Sequence, residues 1–158
     1  MTPGLAFFYG GLVRASSVVS MMMMSFGALA LVSILWIAYG YAMAFSGAGS
    51  DSYLGFDGIL GIDTNSIFLN QFLDERMSFD LVFAAFQGTF AVITVALISG
   101  AIADRARFGS WMVFAGIWAT VVYFPIAGWV FNFTLDDSGA IVDGGWLVKD
   151  VGLLDFAG

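Results

Sequence analysis

The stretch LVFAAFQGTFAVITVALISGAIA, residues 81–103, carries no charge, and DRAR follows at once at 104–107. A helix rises ~1.5 Å per residue and the hydrocarbon core of a bilayer is ~30 Å thick, so about 20 apolar residues span it. This run is long enough. Two further charge-free runs, 15–50 and 108–135, meet the same criterion. The reading is an all-α, polytopic transmembrane helix bundle, with spans from about Ser16 to Phe45, Phe79 to Ala103 and Phe108 to Phe131. The first has residues to spare for tilting or for projecting beyond the bilayer.

Composition points the same way. Of 158 residues, 60% are hydrophobic and 11% charged, against about 45–50% and about 25% in soluble domains. Mean hydropathy is +0.92. An ordinary soluble globule and a disordered chain are both excluded. Cysteine and histidine are absent, which removes disulfides, thiolate and imidazole metal sites, Ser-His-Asp triads and histidine acid–base chemistry from this chain. Apart from Asp80 at the very start of the second, the spans hold no charged residue, and they hold no ligand cluster. No enzyme, catalytic residue, metal or cofactor is therefore expected. The net charge of −7, from 5 basic and 12 acidic residues, argues against a nucleic-acid partner.

The two ends do not fit a set of complete spans. Residues 1–13 are apolar and stop at Arg14; at ~1.5 Å per residue they reach ~20 Å, too short to cross. No basic residue precedes them, so they do not form a signal peptide. They read as the second half of a helix, and Asp155-Phe156-Ala157-Gly158 reads as the start of another. The expectation is a fragment, one partial domain over 1–158. The short segments at Arg14 and 104–107 hold three basic and one acidic residue; all other segments hold two basic and 11 acidic. By the positive-inside rule the first two are cytoplasmic, and loops 46–80 and 132–155, with the missing N-terminus, lie outside. Residues 46–51 read as coil, and Ser66–Arg76 as a short surface helix from Ile67, Phe68, Phe72 and Leu73. No internal repeat of 20–50 residues is seen.

Small residues recur four apart in Ala84/Gly88, Ala96/Gly100, Ala115/Ala119 and Gly40/Ala44. That spacing lets another helix approach closely, and tight packing accounts for it; lining a pore is the alternative. Met21–Met24 cover every side of a helical turn, as core or lipid packing does, whereas a thioether metal site would need further partners. Ser17, Ser20, Ser25, Ser33, Thr89, Thr94 and Thr120 lie inside spans, where hydroxyls bond back to their own helix. Gln87 lacks that option, so it bonds to a neighbouring helix or faces a cavity. Pro125 predicts a kink or an early end of its helix. The aromatics Trp36, Tyr39, Tyr41, Trp111, Trp118, Tyr123 and Trp129 are distributed along the helices, and the default reading is that some of them form interface belts. Phe86 and Phe90, four apart with Gly88 between them on the opposite side, either pack or present two phenyl faces to a cation or a narrow pore. Asp155 suits a helix N-cap.

The motifs then become specific. Pro3-Gly4-Leu5-Ala6-Phe7-Phe8-Tyr9-Gly10-Gly11-Leu12-Val13-Arg14 resembles the end of the first helix in the ammonium transporter / methylammonium permease / Rhesus family. Trp36-Ile37-Ala38-Tyr39-Gly40-Tyr41 resembles the end of its second helix. Ala85-Phe86-Gln87-Gly88-Thr89-Phe90-Ala91 and Ser99-Gly100-Ala101-Ile102-Ala103-Asp104-Arg105 resemble its third helix and the turn beyond. Pro125-Ile126-Ala127 and Asp155–Gly158 are similar to the end of its fourth helix and the start of its fifth. The resemblance runs in family order over nearly the whole chain and is to the bacterial ammonium transporter branch. It implies a fold of about eleven spanning helices in two inverted halves, assembled as a homotrimer. This chain would supply most of one half.

The resemblance also implies roles. Phe90 matches one layer of the family's external phenyl gate, and Phe86 an aromatic of its ammonium-recruitment site. Phe131 falls where that motif usually has tryptophan; phenylalanine keeps a π face but loses the indole N–H. Gly128 falls where many members carry histidine. Asp155 matches the aspartate at the start of the fifth helix, which supports recruitment through structure. The family's pore histidines fall after Gly158. Its activity is to attract ammonium (methylammonium is an analogue) to an aromatic vestibule and strip its proton at the desolvating gate. Ammonia then passes down a narrow apolar pore. A cytoplasmic PII-type regulator is an implied partner of the full-length form, and the cell membrane the implied location. An ammonium sensor on the same fold and a non-functional fragment remain the other readings.

Overall fold

The computed structural model describes residues 1–45, 53–56, 60–72, 79–137, 139, 141–153 and 155. Each of the three charge-free runs forms one long helix. After α1 (Thr2–Leu12) come α2 (Ala15–Ala44), α3 (Phe79–Ile102) and α4 (Phe108–Phe131), all long and apolar enough to cross a membrane. A short α5 (Trp146–Lys149) follows. Pro3 sits in the first turn of α1, where its missing N–H costs no intrahelical bond. Asp80 sits in the first turn of α3, where a carboxylate suits the helix dipole. Asp104, in the left-handed region at φ 62°, turns the chain between α3 and α4.

Two helices change pitch partway. In α2, Trp36–Gly40 is a π-helical turn between the α-helical Val18–Leu35 and Tyr41–Ala44. In α4, Ala119–Tyr123 is another. Pro125 lies in the first turn of the α-helical segment that follows, Phe124–Phe131. The early end anticipated at Pro125 does not occur. The wider turn comes before the proline, which then occupies a first-turn position where it is tolerated.

The chain divides into two compact units, Met1–Trp36 with Met77–Thr120, and Ile37–Arg76 with Val121–Gly158. In the first, aromatic side chains tie helix to helix through backbone oxygens. The Tyr9 hydroxyl donates to the Leu97 carbonyl at 3.0 Å, and its ring lies where a side chain on Gly100 would collide. The Trp111 indole N–H donates to the Met24 carbonyl at 2.9 Å, fully buried. Met21 and Met24 face inward while Met23 is exposed, so the methionine run divides between core and outer surface. In the second unit, the ring of Phe124 fills the space that a side chain on Gly40 would take, with Tyr39 edge-on at 5.9 Å. Tyr41 stacks on Phe45 at 5.2 Å and meets Phe72 edge-on at 5.7 Å.

The span threonines bond within their own helices. Thr89 donates to Phe86 O, Thr94 to Phe90 O and Thr120 to Gly116 O, at 2.7 to 2.8 Å. Ser25 departs from this. Among the described residues, its Oγ is the one buried side-chain polar atom without a hydrogen-bond partner. Ser25 is enclosed entirely by this chain, at 0% exposure, and a buried unpaired hydroxyl costs about 1–3 kcal/mol. Ser25→Ala should therefore hold or raise the thermal unfolding midpoint in detergent, by about 1 kcal/mol of stability. A loss of similar size would show that the hydroxyl is satisfied.

The loops hold what hydropathy did not announce. β1 (Tyr53–Phe56) pairs antiparallel with β2 (Leu60–Asp63), Tyr53 opposite Asp63. β3 (Phe133–Leu135) pairs antiparallel with β4 (Ile141–Gly144), Phe133 opposite Gly144. Strands of three or four residues are too short to show a period. In place of a continuous surface helix over Ser66–Arg76, Thr64–Phe72 forms 3₁₀ turns interrupted at Ile67–Leu69, where Ile67 is extended and Phe68 and Leu69 are left-handed. Asp63 accepts from the Asn65 N–H at 3.0 Å and from the Ser66 hydroxyl at 2.9 Å. Such local side-chain bonds favour a turn over helix propagation. The coil expected at 46–51, the end of that helix at 73–76 and the helix anticipated after Asp155 lie outside the described residues.

Candidate aromatic site

Phe86 and Phe90 stand one helical turn apart on α3, and their side chains meet. The ring centroids are 5.0 Å apart at an interplanar angle of 80°, an edge-to-face pair. This geometry sets the positive edge of one ring against the negative face of the other. Phe86 is 56% exposed and Phe90 half-buried, so the pair forms an aromatic step accessible from outside the unit. The backbone oxygens of both residues carry an extra donor, Thr89 on Phe86 and Thr94 on Phe90. The neighbouring Gln87 is half-buried.

The other side of α3 is pinned. Trp36 is buried, and its indole N–H donates to the Ala84 carbonyl at 3.0 Å. A Cβ on Gly88 would lie 2.8 Å from Trp36 Cδ1 and 3.0 Å from Nε1. Only a residue without a side chain lets the indole lie this close to the helix. Ala84 and Gly88 thus serve tight packing in this unit, as do Ala96 (fully buried) and Gly100 (against Tyr9).

Phe131 and Asp155 belong to the second unit. Phe131 is the last residue of α4 and half-buried; Asp155 is exposed. The end of α4 is held by the chain that follows. The Gly145 N–H donates to Asn132 O at 2.8 Å, and the rings of Trp129 and Trp146 lie 5.7 Å apart. Gly128 meets the end of α2: a Cβ there would sit 3.1 Å from Ala44 O and 3.4 Å from Met43 O. Glycine at 128 therefore lets α2 approach more closely than a larger residue would. Among the described residues, no group of three or more Asp, Glu, Cys or His is placed to hold a metal.

Residues 1–158 match the Ammonium Transporter Family throughout. The chain belongs to the ammonium transporter family. An ammonium transporter of Mycobacterium tuberculosis (strain ATCC 25618 / H37Rv) is 49% identical, aligned to 100% of this chain and 35% of its own length. One from Bacillus subtilis (strain 168) is 41% identical with the same coverage. Among solved structures, Saccharomyces cerevisiae Mep2 superposes with a TM-score of 0.74 at 35% identity, over 99% of this chain and 32% of Mep2. The chain spans about a third of the length of the ammonium transporters it matches.

In this chain of the ammonium transporter family two of the tryptophans are not belt residues. Trp36 and Trp111 are buried, and each gives its N–H to a carbonyl on a neighbouring helix. The signal for Trp36 lay on α3: Ala84 and Gly88 form a small strip on the side away from Phe86 and Phe90.

Proposed function

We propose that the ammonium transporter containing this chain moves ammonium or ammonia across a membrane, with Phe86 and Phe90 as part of its outer aromatic entrance. The observation that carries this reading is the edge-to-face phenyl pair on a membrane-length helix of a chain matching the family over its whole length. A phenyl face attracts a cation through its quadrupole, with Phe86 the more accessible of the two rings. An apolar constriction strips water from the cation, which disfavours the charged form. Ammonium can pass a proton to water on the outer side of the gate and proceed as neutral ammonia; potassium has none to lose. Phe90 is assigned to the gate, Phe86 and Phe131 to recruitment, and Asp155 to structural support of recruitment. Sign asymmetry of the loops supports a plasma-membrane orientation with Arg14 and 104–107 on the cytoplasmic side. The homotrimer and the PII-type partner belong to the same reading.

The test is uptake of labelled methylammonium by the full-length protein in liposomes, competed by ammonium but not by potassium. Uptake no faster than in empty liposomes would refute it. Phe131→Trp should strengthen recruitment, because an indole attracts cations more strongly than a phenyl ring; a several-fold lower apparent KM for methylammonium is expected. An unchanged KM would remove position 131 from the cation's path.

A further inference from the structure

A phenyl gate works only if the helix carrying it is held in one rotational setting, and the structure assigns that positioning to Trp36. This inference rests on the gate reading of Phe90. The indole touches α3 along one line: its N–H bonds to Ala84 O at 3.0 Å, and its five-membered ring covers Gly88. Ala84 and Gly88 lie one turn apart on that line. Phe86 and Phe90 are each two residues from Gly88, roughly 160° around the helix axis in either sense. The rings therefore emerge on the side opposite the indole. Rolling α3 enough to swing the phenyl pair aside would pull Ala84 O away from the N–H. By helical spacing, one sense of roll would also bring Gln87, and the other Ala85, towards the rigid ring. The buried donor would then be left without its partner, which is penalised most where water is absent. Thr89 and Thr94 do not supply this control, because their bonds stay within α3. Tyr9 holds the far end of the same helix through Leu97 O, while Trp36 acts at the level of the phenyl pair. Trp36 is thus a positioning residue: it touches neither the cation nor its path, and acts through Phe86 and Phe90.

The experiment uses the full-length transporter in liposomes. It compares wild type, Trp36→Phe, Gly88→Ala, Phe90→Ala and the double variant Trp36→Phe/Phe90→Ala. Membrane abundance and unfolding midpoint are measured for each. The readouts are methylammonium KM and maximal rate, taken separately, and discrimination against potassium. Trp36→Phe keeps an aromatic ring but removes the donor. It should weaken discrimination by about tenfold, since displacing a site by about 1 Å can cost up to about a hundredfold. Gly88→Ala presses the same contact from α3 and should do likewise, which preserves the test if Trp36→Phe does not accumulate. The double variant should be no worse than Phe90→Ala alone, as expected of residues acting through one element. Wild-type discrimination in both Trp36→Phe and Gly88→Ala, beside a defective Phe90→Ala, would overturn the positioning role and leave the gate standing. So would additive losses in the double variant. Wild-type discrimination in Phe90→Ala would instead overturn the gate reading, and the role of Trp36 with it.

Discussion

Phe90→Ala in the full-length transporter is expected to alter methylammonium uptake and to weaken discrimination against potassium by about tenfold or more. The ring lies on a membrane-length helix, edge-to-face with Phe86 at 5.0 Å. Truncation removes the ring that would close the apolar constriction and leaves Phe86 without its partner. The aromatic pair is worth only about 0.5–1.5 kcal/mol beyond its buried area, and Phe90 is half-buried. The fold should survive, so an effect on transport separates from an effect on stability. The expected direction follows from desolvation: a wider opening lets the cation keep more of its water, and the penalty that selects for a species able to shed its charge falls. Uptake with competing potassium, at matched protein per liposome, checks it. Wild-type rate and selectivity together would remove Phe90 from the pore.

Trp111→Ala is expected to give the largest stability loss of any single truncation in the first unit, on the order of 3–5 kcal/mol. Trp111 is among the largest fully buried side chains and bonds to Met24 O at 2.9 Å. It also lies 5.8 Å from the ring of Phe114. In lipid the usual hydrophobic driving force between helices is missing, because lipid tails are as apolar as the core. The loss therefore comes from the cavity, the forfeited dispersion contacts and the lost interhelical hydrogen bond. Trp111→Phe, which keeps most of the volume, should cost much less. Thermal unfolding in detergent, with membrane abundance alongside, distinguishes the two. A Trp111→Ala loss below about 1 kcal/mol would mean that the neighbours close over the gap.

Much of the architecture is legible in the sequence alone. A charge inside a bilayer costs several kcal/mol, so a segment of membrane length must be nearly free of charge, and three such runs became three long helices. The pairing of Phe86 with Phe90 was also legible, because residues four apart share a helix face. The bonds of Thr89, Thr94 and Thr120 to their own helices are local and equally readable. The interrupted turn at Ile67–Leu69 was not, since Ile67, Phe68 and Phe72 carry a helical spacing that the Asp63 hydrogen bonds override. The hairpins were not, because strands this short show no pattern.

By itself, then, the sequence determined the spans, the family and the identity of the aromatic step, since each depends on the cost of charge in lipid or on neighbours within one turn. Only the tertiary structure decided which side of each helix faces its neighbours. A membrane helix is apolar all round, so no polar stripe separates inside from outside. That is why the sequence did not separate Trp36 and Trp111, buried against Ala84 O and Met24 O, from aromatics of an interface belt. It is also why Gly88 and Gly128 show their purpose only beside the indole and the end of α2 that they admit.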